Sequence, residues 1–344
     1  MAFEYLTNVP LEKARQDYLD ALLAAGLTAR SETLPTIEAA NRVTARAVYA
    51  RISSPHYNAC AMDGIALQAS QTFGATETTP VRLPMGTYQW VNTGDPLPEG
   101  CDAVVMVEDV VQEEGAVVLY EAAVPWQNVR QIGEDISAGD MILPSFSVLT
   151  PAAIGALLEA GVLSLEVITQ PMVGIIPTGN EIVPPTENPR EGDIIESNSA
   201  IFSGMLQEWG CKVRVYPPVP DSAELIEAAL SQALMECDAV VLNAGSSAGQ
   251  KDYSVEAIRR VGEVVLHGIA IKPGKPAILA YAQSADDKRV QPILGLPGYP
   301  VSGILVLEQL FRPVIEQMTR RLPAKPQFIQ AQITRRLTSS LKYY

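Results

Sequence analysis

The 344-residue chain is poor in the side chains on which metal centres, membranes and nucleic acids depend. It has four cysteines and two histidines. Cys60, Cys101, Cys211 and Cys237 stand far apart without a CxxC spacing, and only His56 and His267 could join them, which argues against a structural zinc site. Scattered thiols of this kind fit a reducing compartment, and the cytoplasm is the expected location. Basic residues are also scarce. With 25 Lys and Arg against 39 Asp and Glu the net charge is −14, so the surface as a whole should repel nucleic acid and anionic lipid. No apolar run reaches membrane-spanning length, and no basic-plus-apolar signal opens the chain. A Walker loop, a dinucleotide GxGxxG and a nucleophile elbow are all missing.

What remains is a folded chain, with 47% apolar and 19% charged residues. Its length calls for about two to four domains. Residues 10–25 place Leu11, Ala14, Tyr18 and Leu22 at helical spacing between Pro10 and Gly26, and a second helical stretch is expected over 36–48. From 51 to 144 short β-like runs such as VVMVEDVV and AVVLYEAAV, separated by turns, predict an inserted β-rich domain. Thr150 and Pro151 open a further helix that stops at Gly161. The flanking parts, 1–50 and 145–170, are expected to make one elongated helical and β body. Residues 171–320 alternate strand and helix, which predicts a doubly wound, mostly parallel α/β domain with ligands at the carboxyl ends of its strands. The fold class is therefore multidomain α/β. Residues 321–344, with the strand-like QFIQAQITRRL, read as the start of a further β domain.

Two Pro-Gly turns carry the chemical signal. Lys272-Pro273-Gly274-Lys275 has the residues of a type II turn, so its lysines can converge on one anionic group. In GLPGYPVSG a strand breaks at Pro297-Gly298 and a helix starts at Pro300, offering free backbone N–H groups. Three loops join them at strand ends: PTGNE with Glu181, ESNSA with Ser197 and Asn198 as expected caps, and NAGSSAGQKDY, whose backbone could form an anion nest closed by Asp252. Gly and Ser after a strand are ordinary turn chemistry. The signal is their opening at one sheet edge. In the β-rich part Asp63, Asp95, Glu134 and Asp135 stand in CAMDG, NTGDP and GEDI, where carboxylates either cap backbone N–H groups or supply oxygens to Mg²⁺ beside a phosphate.

Taken together and in order, CAMDG, NTGDPLPEGCDAVV, VRQIGEDISAGD, PTGNEIV, SNSAIFSGMLQEWG, GSSAGQKDY, AIKPGKP and GLPGYPVS resemble the molybdopterin molybdenumtransferase family, that of MoeA and the gephyrin E-domain. The resemblance implies an elongated homodimer, each active site joining the α/β domain of one subunit to the inserted domain of the other. It implies Mg²⁺-dependent transfer of molybdenum from molybdate to adenylylated molybdopterin, with release of AMP. Of the residues so implied, Asp63, Asp135, Asp252, Lys272 and Lys275 are catalytic, and Asp252, Asp63 and Glu181 are magnesium ligands. Thr93, Glu181, Asn198, Asp221, Gly245, Ser247, Gly249, Pro297 and Pro300 bind substrate. The chain departs from the family pattern at Asn58-Ala59-Cys60, where a carboxylate is usual, at Ala244, where glycine is usual, and at Tyr299, where asparagine is usual. Those departures leave room for a tungstate-specific paralogue, for a regulatory binding protein without turnover, and for a scaffold.

Overall fold

The computed structural model describes residues 8–244, 253–284, 286–321, 329–332 and 334. Among these, residues up to Glu32, Phe146–Val148 and those from Glu166 onward form one compact unit, and Thr33–Ser145 with Leu149–Leu165 form another. The chain opens in the first unit with helix α1 (Leu11–Ala25), stopped by Gly26 in the left-handed conformation. Its buried face is the expected one: Leu11, Ala14, Tyr18 and Leu22.

The inserted unit is built on strands β1 (Gly64–Leu67), β2 (Val81–Pro84), β3 (Gln89–Val91), β4 (Ala103–Met106), β5 (Val111–Glu113) and β6 (Ala116–Leu119). They pair as two three-stranded sheets in the orders β3-β1-β4 and β2-β6-β5, all antiparallel. Ile65, Leu67, Leu83, Val105, Val117 and Leu119 fill one core between them. Helix α2 (Pro151–Glu159) starts as the sequence predicts, with Thr150 Oγ1 accepting the Ala153 N–H at 3.2 Å. The helix expected over 36–48 is absent. Only Thr36–Glu38 makes a 3₁₀ turn, because Asn41 takes φ 63° and donates its N–H to the Leu149 carbonyl instead of to a helical partner.

The first unit holds a six-stranded sheet made of β7 (Met172–Pro177), β8 (Lys212–Val215), β9 (Ala239–Ala244), β10 (Glu263–His267), β11 (Ile278–Gln283) and β12 (Val290–Pro297). Its order is β8-β7-β9-β12-β11-β10. The first four strands are parallel, and β11 runs antiparallel to both of its neighbours, β12 and β10. Alternate residues face opposite layers, as a pleat requires. Val173, Ile175, Val241 and Leu294 face α1, α3 (Asn198–Glu208), α6 (Pro300–Val306) and α7 (Arg312–Thr319). Ile176, Val240, Leu242 and Ile293 face α4 (Ala223–Glu236) and α5 (Tyr253–Val261). The doubly wound arrangement is thus as expected, and α1 packs on the α/β core, in the same compact unit as Phe146–Val148 and the residues from Glu166 onward. The tie is chemical as well as apolar. Tyr18 donates its hydroxyl to the carbonyls of Ala280 (2.8 Å) and Ile293 (3.1 Å), and burial pushes its pKa up. Pro313 has no N–H to give to the Gln309 carbonyl, α6 widens into a π turn over Leu307–Phe311, and Arg15 Nε of α1 donates to that carbonyl at 2.9 Å. The C-terminal strand-like run lies largely outside the described residues. No helix among the described residues is long and apolar enough to cross a membrane.

Candidate functional site

The carboxyl ends of the parallel strands gather the predicted α/β residues on one edge. Register aligns Pro177 of β7 with Asn243 of β9, and Asn243 with Leu296 of β12. Around Asn243 the loops are stitched to one another. Thr178 donates its N–H to the Asn243 carbonyl at 2.8 Å, Gly179 donates to Val219 at 3.0 Å, and Asn180 Oδ1 accepts the Asp221 N–H at 3.2 Å. Asn198, at the first turn of α3, donates Nδ2 to Asn243 Oδ1 (3.2 Å) and to the Gly298 carbonyl (2.8 Å), so it spans from β9 to the Pro297-Gly298 turn. Its own Oδ1 is buried and accepts no hydrogen bond among the described residues. A buried acceptor left unpaired costs free energy, so this oxygen stands ready for a donor. The side-chain caps expected from Ser197 and Asn198 are not made. Ser197 makes no cap bond, and Glu196 Oε1 takes the Ser199 N–H at 2.8 Å.

The lysine turn arrives at the same edge by topology. Strand β11 is antiparallel, and its first residue, Ile278, pairs with Gly295 near the carboxyl end of β12 and with His267 at the end of β10. The 268–277 connection therefore lies beside the Pro297-Gly298 turn. A methyl group on Gly274 would come within 2.8 Å of Val306 in α6, which places the turn against the helix that Pro300 opens. The Lys272–Pro273 peptide is cis, and Gly274 has the positive φ (122°) that the predicted turn asks of its third residue. Lys272 is exposed and Lys275 half-buried. Glu181 and Asp221 share the edge. Burial first, and the nearby Glu181 charge second, raise the Asp221 carboxyl above its ordinary range.

The other predicted residues converge within the inserted unit. The Cys60 N–H donates to the Asp95 carbonyl (2.9 Å), the Gly94 N–H to the Cys60 carbonyl (2.8 Å), and the Ala61 N–H to the Asn128 carbonyl (2.8 Å). Asn58 Oδ1 accepts from Ile132 N at 3.1 Å. These bonds bring the CAMDG, NTGDP and GEDI loops together. Asp63 Oδ1 accepts both the backbone N–H of Thr93 (2.7 Å) and its hydroxyl (3.0 Å), which hold the carboxyl below its ordinary range. Gly64 follows because a Cβ there would sit 2.0 Å from the Val105 carbonyl oxygen of β4. Asp95 caps Asn92 N at 2.7 Å, the turn role. Asp135 is paired with Arg130, which also reaches Glu134 at 3.8 Å, so its charge enters the site already compensated.

Of the predicted residues, Gly245, Ser247, Gly249 and Asp252 lie outside the described residues. Those the sequence reading missed are Asn243, Asn180 and Arg130. Asn180 sat in plain view inside PTGNE, and Arg130 five residues before Asp135, a cation close enough to suggest a partner. Among the described residues no group of three or more His, Cys, Asp or Glu forms a ready metal site. Glu181 and Asp221 do offer a donor set that suits Mg²⁺: hard oxygens, like-charged, with no basic partner among the described residues.

Comparison with known proteins sets these loops in a wider frame. Residues 9–161 match the family described as "MoeA N-terminal region (domain I and II)". Residues 174–317 match "Probable molybdopterin binding domain". The chain is 32% identical over 321 residues to the molybdopterin molybdenumtransferase of Haemophilus influenzae, covering 90% of this chain and 77% of that one. It is 33% identical to the namesake of Synechococcus elongatus, covering 86% and 78%. A crystal structure of the molybdopterin biosynthesis MoeA protein from Pyrococcus horikoshii superposes with a TM-score of 0.78 at 30% identity, covering 92% of this chain and 81% of that one.

Proposed function

Because the chain belongs to the molybdopterin molybdenumtransferase (MoeA) family, we propose that it inserts molybdenum from molybdate into adenylylated molybdopterin and releases AMP. The site is the carboxyl edge of the six-stranded sheet, completed in a cytoplasmic homodimer by the Asp63, Thr93 and Asp135 loops of the second subunit. The observation that carries this reading is the convergence on one edge of the PTGNE loop, the Asn198 bridge, the lysine turn and the Pro297-Gly298 turn.

Each group has a physical task. Lys272 and Lys275 hold oxyanion oxygens, phosphate or molybdate, in a molecule whose net charge would otherwise turn them away. Asn198 Oδ1 accepts a hydrogen bond from an N–H or O–H of the bound pterin nucleotide, the partner it lacks among the described residues. Glu181 and Asp221 are the described carboxylates that would hold Mg²⁺, which neutralises phosphate charge when bound. Asp63, already fixed by Thr93, presents its other oxygen to the ligand. Positioning and charge neutralisation do the work, without a covalent enzyme intermediate.

The test is AMP release from adenylylated molybdopterin in the presence of Mg²⁺, with molybdate and tungstate in parallel. Release with molybdate is expected; no release with either oxyanion overturns the proposal. Lys275→Ala should weaken binding of the adenylylated substrate by about 1–3 kcal/mol, the range for a hydrogen bond to a charged group. Unchanged binding removes Lys275 from the site.

A further inference from the structure

The opposite end of the same sheet carries a different constellation. At the amino ends of β7, β9 and β12 lies a cavity of about 250 Å³ whose floor is apolar, made by Leu27, Pro171, Val290 and Met318. Its wall is charged. Asp238, almost fully buried, immediately precedes β9 and sits between two guanidinium groups. Its Oδ1 accepts from Arg30 Nη2 and from Arg289 Nη1 (2.6 Å), and its Oδ2 accepts the Met172 N–H at 2.8 Å. The carboxylate thus accepts three hydrogen bonds, while Arg289 keeps a donor to spare. Arg289 Nε is buried with no acceptor among the described residues, and Asp287 Oδ2 lies 3.7 Å from it, beyond hydrogen-bond range. Lys288 completes the lining, so three cations face two carboxylates here, in a chain of net charge −14.

A positive wall with a spare planar donor, above an apolar floor, matches one kind of molecule: an acceptor-only head on a small apolar body. We propose that this cavity is a binding site for a small organic carboxylate, its head taken by Arg289 and Arg30 and its body lying on Leu27 and Met318. Asp238 holds both guanidinium groups in place and cancels only half of their charge. Inorganic phosphate would find the cations but leave the floor uncovered. Asp238, just before β9, and Asn243 within it are five residues apart, roughly 16 Å at 3.3 Å per residue, so the cavity is separate from the oxyanion edge.

Titration of the full chain with benzoate, benzamide and inorganic phosphate, followed by calorimetry and ligand-observed NMR, tests the assignment. Saturable benzoate binding is expected, with benzamide and phosphate each at least about tenfold weaker. Arg289→Lys keeps the charge but loses the fork and should weaken benzoate about tenfold. Arg30→Gln, at a half-exposed position, should do the same without disturbing the core, and it serves if Arg289→Lys does not fold. Absent benzoate binding, equal binding of benzamide, tighter binding of phosphate, or affinity unchanged in the folded variants each overturns the proposal.

Discussion

Single carboxylates in this protein are tuned in opposite directions by their surroundings. Asp221 is raised by burial and by Glu181, so the folded state holds its proton more tightly than the unfolded chain does. Its contribution is therefore fully present at pH values below its ordinary value of 3.8 and is lost as pH rises through the raised one. Asp221→Asn should flatten that slope, giving a higher Tm than the parent above the acid window, and Mg²⁺ should raise Tm in the parent more than in the variant. Thermal melts across about pH 4–7, with and without Mg²⁺, check both. Asp63 behaves in the reverse sense. Its carboxyl is lowered by the Thr93 bonds, so its support is present above 3.8 and lost as pH falls through the depressed value. Asp63→Asn should leave the fold intact but speed amide exchange at the Thr93 N–H; unchanged exchange would show that the loop is held by other contacts.

Helices and strands show which signals a sequence transmits well. Helix α1 was legible because four apolar residues at helical spacing stood between Pro10 and Gly26, and α2 because Thr150 and Pro151 mark its start. The parallel strands β7, β9 and β12 were legible as apolar runs. Strand β11 was not, since Ile278–Gln283 carries no signal telling an antiparallel addition from another parallel strand. Residues 36–48 misled because alanines lend them a helical texture, while the decisive event is long-range: the Asn41 N–H engages Leu149. The site was legible motif by motif, yet Asn198 looked like a cap and is a bridge, a distinction set by where β9 and the 298 turn lie in space. Close helix approach gives a further prediction. A methyl group on Gly303 of α6 would sit 2.4 Å from Phe202 Cζ of α3, a ring that is fully buried. Gly303→Ala should cost about 1–3 kcal/mol in urea unfolding. Phe202→Leu in the same chain should recover part of the loss, visible as coupling in a double-mutant cycle.

At the scale of the whole chain, the residue numbers of the two units carry a temporal meaning. Thr33–Ser145 and Leu149–Leu165 nearly complete one unit with a single stretch of sequence. The other unit needs both ends of the described chain: Tyr18 bonds Ala280, 262 positions later, and Arg15 bonds Gln309, 294 positions later. Contacts of such separation form late and slow a folding reaction. During synthesis at roughly 5–20 residues per second, the leading amphipathic segment would leave the ribosome well before its partners exist. Nascent chains arrested once Leu165 has cleared the ribosome should protect the inserted unit from protease while being cut within 11–25. The newborn polypeptide thus has to carry a naked greasy stripe past an already finished neighbour, and a holding chaperone that shields Leu11 to Leu22 should raise the yield more than one acting on any later segment.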